Sequence, residues 1–226
     1  MGDAIGQVLS LGVGVALSPV PIIAVVLMLA TPRGRVNGPA FLLGWLVGLS
    51  VVGTIVLLAS SGADATADDG APADWVSWVK IGLGVLLALV AVRQWRHRPR
   101  AGEDAALPSW MKAIDTFTPP RAIAMGVALS AINPKNLLLT IGAGAAIAQT
   151  GASSGAQAVA LAVFVVIGTI GPGLPVAIAF TMGDRARTIL DDLKTWMAGH
   201  NAAIMAVLCL VIGAKLLGDG ISGLSG

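Results

Sequence analysis

Lys135 is a cation set between two asparagines in the run Ala131-Ile132-Asn133-Pro134-Lys135-Asn136, inside a long apolar segment. A lysine deep in a membrane span costs roughly 2.5–3.5 kcal/mol on insertion scales, so it is expected to face protein or a water-filled cavity. Snorkelling to the nearer interface is the plain alternative. An interface anchor, however, has no use for Asn133 and Asn136. Asp, Glu and His are missing from the deep parts of the apolar segments, so an unpaired cation there either invites an anionic ligand or loses its proton; the ligand, a phosphate, sulfate or carboxylate, is the one expected here.

Two more places break the apolar pattern in the same way. Ser18, Pro19 and Pro21 stand in SPVP, and Thr169, Gly171 and Pro172 stand in GTIGPGLP, which continues to Gly173 and Pro175. A proline inside a helix lacks a donor and frees the carbonyl four residues earlier. In lipid those groups need partners, so a true break should face protein or a polar cavity. One proline alone reads as a packed kink. Three proline sites beside Ser, Asn, Lys and Thr read as the lining of a substrate-binding cavity. Arg33 and Arg35 follow the first segment as a candidate basic rim that gathers anionic head groups; setting topology is the simpler role for them.

The elements that must hold these residues are membrane helices. The chain of 226 residues is 56% hydrophobic and 12% charged, about half the charge usual for a soluble domain. Spans of about 20 apolar residues are expected at roughly 4–30, 38–60, 76–95, 121–148, 155–181 and 198–218, which leaves room for one membrane domain, 1–226, and nothing more. Repeat one covers 1–95 and repeat two 121–226, joined by a basic linker, 96–120. An acidic linker, 61–74, carries Asp64, Asp68 and Asp69. Within the basic linker, Trp110, Met111, Ile114 and Phe117 share a face of a short helix, which suits a segment on the membrane surface or, equally, an ordinary amphipathic connector. Eleven of the fourteen basic residues fall at one side of a six-span arrangement, including Arg33, Arg35, Arg185, Arg187 and Lys194. By the positive-inside rule that side is cytoplasmic and both termini lie outside. The first apolar segment has no basic n-region and reads as a retained helix.

The halves repeat. GVALS occurs at 14–18 and 126–130, each shortly before a proline break, and VVGTI at 51–55 matches VIGTI at 166–170. Three spans per half make the second copy enter the membrane inverted, an arrangement that transporters use to build a midplane site from broken helices. At 1.5 Å per residue, Pro19 and Pro21 lie roughly 21–24 Å along helix one, and Asn133 and Pro134 roughly 18–20 Å along helix four. The fold expected is therefore all-α: six transmembrane helices as two inverted three-helix repeats, with helices one, four and five broken at prolines. Gly38, Gly44 and Gly48 suit close helix packing rather than ligand contact.

Several functions lose support. A Walker loop is missing, so an intrinsic ATPase is not expected. The single cysteine, Cys209, gives neither a disulfide nor a metal set. His97 and His200 sit at span ends. A net charge of +2 gives no argument for nucleic acid. No cofactor and no enzymatic activity are expected.

SPVP, TPRGRVNGPAFLLGW and AINPKNLLL together resemble the GAP family of glycolipid- or peptidoglycolipid-addressing (sulfolipid-addressing-like) proteins in the lysine-exporter superfamily. The resemblance covers most of both halves apart from the linkers. It implies a six-helix, multi-pass exporter in a bacterial plasma membrane, with Ser18, Pro19, Pro21, Asn133, Pro134, Lys135 and Asn136 as the central site. It does not extend to the superfamily's thiol-electron carriers, which place cysteines near the two breaks. The function expected is outward movement of an anionic lipid or small metabolite by alternating access. The alternative is a non-transporting scaffold or accessory subunit of a lipid-export machine. The partners expected are membrane lipids and the cargo, with a homodimer or export complex open.

Overall fold

In the computed structural model, which describes residues 2–62, 74–96, 113–114 and 116–225, all regular structure is helical. The helices are α1 (Gly2–Ala16), α2 (Pro19–Leu29), α3 (Gly34–Gly62), α4 (Asp74–Arg96), α5 (Pro119–Ala131), α6 (Pro134–Ala148), α7 (Ser154–Thr181) and α8 (Arg185–Ser225). Four of them, α3, α4, α7 and α8, are long and apolar enough to cross a membrane. The pairs α1/α2 and α5/α6 pass that test only together, bent by 51° and 63°, which makes up to six spans. Most of the acidic linker (63–73) and most of the basic linker, including Trp110 and Met111, lie outside the described residues; the ends of the acidic linker, 61–62 and 74, belong to α3 and α4.

Both bends have the same local cause. Ser18 and Asn133 precede a proline at the first helical position, with extended or near-extended backbone at φ −91°, ψ 107° and φ −59°, ψ 120°. Proline disfavours helical geometry in the residue before it but is well suited to start a helix. Each apolar segment therefore stops and restarts inside the bundle.

Packing pairs the elements of one half with those of the other. Gly12 abuts Ile167, Gly168 abuts Val15, and Gly171 abuts Ala16, so α1 and α7 run parallel. Helices α3 and α5 also touch at backbone distance, where a Cβ on Gly44 would sit 2.0 Å from the Ile123 carbonyl oxygen. Gly84 meets Gly213 and Leu217, and Gly220 meets Ser77 and Ile81, so α4 and α8 run antiparallel. The expectation of close packing at Gly38, Gly44 and Gly48 agrees with this: each faces a neighbouring side chain or backbone at under 3 Å from the Cβ it lacks.

Three expectations need correction. Helix five is not broken: α7 runs continuously through Pro172 and Pro175. Pro172 frees the carbonyl of Gly168, and the buried Trp45 indole N–H donates to that oxygen at 3.3 Å. With the acceptor that Pro172 orphans satisfied by α3, the helix has no need to open at that proline. Replacing Trp45 by Phe should lower stability by about 1 kcal/mol for this hydrogen bond, beyond any packing loss. In a Pro172→Ala background the restored backbone N–H can take the Gly168 oxygen, so thermal unfolding should show a clearly smaller cost for Trp45→Phe. Equal costs in both backgrounds would remove this account of the unbroken helix.

The second correction concerns the last helix. It was expected at 198–218 but runs from Arg185 to Ser225, so it projects beyond the apolar stretch at both ends. Its far end carries Asp219, which pairs with Lys215 at 2.6 Å, near the buried Lys80 of α4. The third concerns the basic linker. Ile114 and Phe117 do not lie on a membrane surface but are buried in the core. Asn37 explains why: its side-chain N–H donates to the Phe117 carbonyl at 2.9 Å and ties the end of the linker to the start of α3.

Candidate functional site

The first turn of α2 contains two prolines, Pro19 and Pro21, which carry no backbone N–H. Helix starts normally leave donors that a capping side chain must satisfy. Here two of the four donors do not exist, and Ser18 makes no side-chain cap bond. SPVP thus starts a helix while leaving the Ser18 hydroxyl free for another partner.

That partner is the second break. The Lys135 ammonium donates to Ser18 Oγ at 2.7 Å, and the Ser18 hydroxyl donates to Asn136 Oδ1 at 2.8 Å. Asn136 Nδ2 in turn donates to the Leu129 carbonyl at 2.9 Å, near the end of α5. Asn133 accepts from the Lys135 backbone N–H at 3.1 Å and so caps α6. Thr140, one turn on, donates to the Asn136 carbonyl at 2.8 Å. The result is one directed chain of hydrogen bonds that joins the two broken helices across more than a hundred residues of sequence.

The clasp is sealed. Ser18, Lys135 and Asn136 are 3%, 2% and 0% exposed, so no ligand reaches them without a movement of the helices. Among the described residues no carboxylate pairs with Lys135. Its only side-chain hydrogen bond among them goes to Ser18, out of the three an ammonium can donate. The buried thiol of Cys209, on α8, lies within electrostatic reach.

The other expected residues divide clearly. Pro19 and Pro21 are buried beside the clasp. Gly171 packs directly on Ala16 at the end of α1. Pro134 faces the other way and lines an apolar groove of about 420 Å³ with Leu86, Leu89, Ile132 and Arg93. Thr169 turns its hydroxyl back to the Val165 carbonyl at 2.7 Å, and Pro172 is buried within α7. Neither makes a hydrogen bond to the clasp. Sequence reasoning missed Thr140, Trp45 and Asn37. Each is a polar or aromatic side chain bonded to a backbone carbonyl, a contact that residue type and spacing alone do not single out.

Arg35 lines a cavity of about 1050 Å³ between the ends of α2 and α7 and the start of α8; Arg33 is exposed but outside it. Val26, Leu27, Leu29 and Phe180 also line it, together with Arg187 and Lys194. The rim is not purely basic, because Asp184, Asp191 and Asp192 share it, and Lys194 is paired with Asp191. No group of His, Cys, Asp and Glu among the described residues could hold a metal ion.

The family described as Sap, sulfolipid-1-addressing protein, matches residues 8–222, nearly the whole chain. No curated protein and no solved structure gives a significant match.

Proposed function

The chain belongs to the sulfolipid-1-addressing protein family, and we propose that it is a carrier that moves an anionic lipid, or a small anionic metabolite, outward through the plasma membrane. The observation that carries this reading is Lys135: a buried cation without a carboxylate partner among the described residues, held by a serine at the meeting point of two broken helices. A lysine placed so deep is costly, and two of its donors make no hydrogen bond among the described residues. An anionic group that reaches this point when the helices part would replace Ser18 as its partner.

In this reading the six spans form two inverted repeats within the lysine-exporter superfamily. The Arg33/Arg35 end is cytoplasmic, and both termini are outside. The matched breaks, the α1–α7 and α3–α5 pairings and the antiparallel α4–α8 pair support the repeat. Arg35 and Arg187 would receive cargo from the inner leaflet, and Ser18, Pro19, Pro21, Asn133, Lys135 and Asn136 would hold it midway.

A second reading rests on the closure of the clasp. Side chains that satisfy one another in sealed space can be a brace, and a braced bundle suits a scaffold or accessory subunit of a lipid-export machine. Reconstitution separates the two. Purified protein in liposomes should move fluorescent or radiolabelled anionic amphiphile across the bilayer without any partner, and Ser18→Ala should change that rate. Protein that is folded but inert alone, and active only with a co-purified pump, would favour the accessory role.

A further inference from the structure

The two broken spans differ in the half that follows the break. Counted from the prolines, Leu27-Met28-Leu29 of α2 occupy the positions that Gly142-Ala143-Gly144 occupy in α6. The consequence is visible in the packing. Gly144 lies against Val56 and the backbone of Leu57, where a Cβ would come within 2.7 Å of Val56 Cγ1, so α6 is drawn onto α3. Ala143 and the run from Ala145 to Ala148 are all buried. At the equivalent place Leu27, Leu29 and Ala30 of α2 line the cavity of about 1050 Å³ between the ends of α2 and α7 and the start of α8, and the Leu29 side chain also lies against Gly38 of α3. One end of the bundle is packed through small residues, and the other, where large ones stand, holds a cavity.

We propose that this is the resting state of a two-state carrier, open at the Arg35 end. In the other state α6 separates from α3 to form a second vestibule at the opposite end while the first one closes. The size difference between Leu29 and Gly144 sets which state dominates. The Ser18–Lys135–Asn136 clasp lies between the two vestibules and stays covered in the resting state. The proposal rests on the carrier reading above and adds to it the location of the gate and the direction of the bias. Interfaces that are packed in one of two ways suit such switching better than continuous deformation does.

Maleimide labelling of single reporter cysteines in nanodiscs, where both faces are open to reagent, tests this. Thr188→Cys reports on the present vestibule, where Thr188 is an exposed wall residue. Ser60→Cys reports on the opposite end, one turn beyond Val56, where Ser60 is buried. The native Cys209 is buried and gives the background. In the resting protein Thr188→Cys should label fast and Ser60→Cys slowly. Adding Gly144→Leu should speed Ser60→Cys by at least about tenfold, a bias of about 1.4 kcal/mol between states, and slow Thr188→Cys. Leu29→Ala should also slow Thr188→Cys, which guards against a Gly144→Leu protein that fails to fold. Reciprocal changes support the proposal. A rise at both reporters with Gly144→Leu, which is simple loosening, would overturn it, as would no change at Thr188→Cys in either variant. No cargo enters this measurement, so the gate can fail while transport stands, and the reverse.

Discussion

Replacing Lys135 by methionine should reduce transport by roughly 10- to 150-fold while leaving thermal stability unchanged or raised. The two halves of this expectation have separate causes. A hydrogen bond to a charged group contributes about 1.5–3 kcal/mol, so a cargo anion that loses the ammonium loses a factor of that size. Stability should move the other way. The ammonium donates to Ser18 but accepts nothing, and Ser18 and Asn136 keep their own bonds to Asn136 and Leu129 when it is gone. No buried donor is orphaned, and a cation that costs roughly 2.5–3.5 kcal/mol to place in a span is removed. Lys135→Arg keeps the charge, but its planar fork does not fit a site that is 2% exposed and closed around a single ammonium. It should therefore lose both transport and stability. A methionine variant that is less stable, yet transports at the wild-type rate, would make Lys135 a brace and remove it from the cargo path.

The same clasp shows how far the sequence could be read. Lys135, Ser18 and Asn136 stood out because each breaks an apolar pattern, and the paired breaks at Pro19 and Pro134 followed from the lack of a proline N–H. The approximate extents of the apolar helices, the last one apart, were also legible, because apolar length is a local property. Partners were not. Nothing local says that Ser18 bonds Lys135 rather than capping its own helix, since that depends on a contact between residues 117 apart. Helix five failed for the same reason. GTIGPGLP has the composition of a break, but an indole from another helix satisfies the carbonyl that Pro172 frees. The extra length of α8 escaped notice because its first turns, from Arg185 to Lys194, are polar and helical at once, so hydropathy ends before the helix does. The mixed rim around Arg35 was hidden because Asp184, Asp191 and Asp192 lie in a different loop and helix.

Gly171 and Gly173 stand two residues apart in α7 beside the same prolines, and alanine should have opposite effects at the two. A Cβ on Gly171 would fall 1.8 Å from the Ala16 carbonyl oxygen and 2.7 Å from its carbon. The obstacle is backbone at the last residue of α1, so it cannot turn aside as a side chain can. Either α1 shifts or α7 bends, and overpacking of this kind typically costs about 1–3 kcal/mol. The shift would also move Ser18, two residues beyond Ala16, away from a Lys135 contact that is only 2.7 Å long. At Gly173 the nearest neighbour is Thr169 Cγ2 at 3.9 Å, an ordinary contact. Alanine there removes a helix-interior glycine and should raise stability by roughly 0.5–1 kcal/mol. Thermal unfolding in detergent, with transport measured on the same preparations, reads both effects. Gly171→Ala should unfold earlier and transport poorly, and Gly173→Ala should unfold later and transport normally. Matching behaviour of the two variants would mean that α1 and α7 do not touch as described.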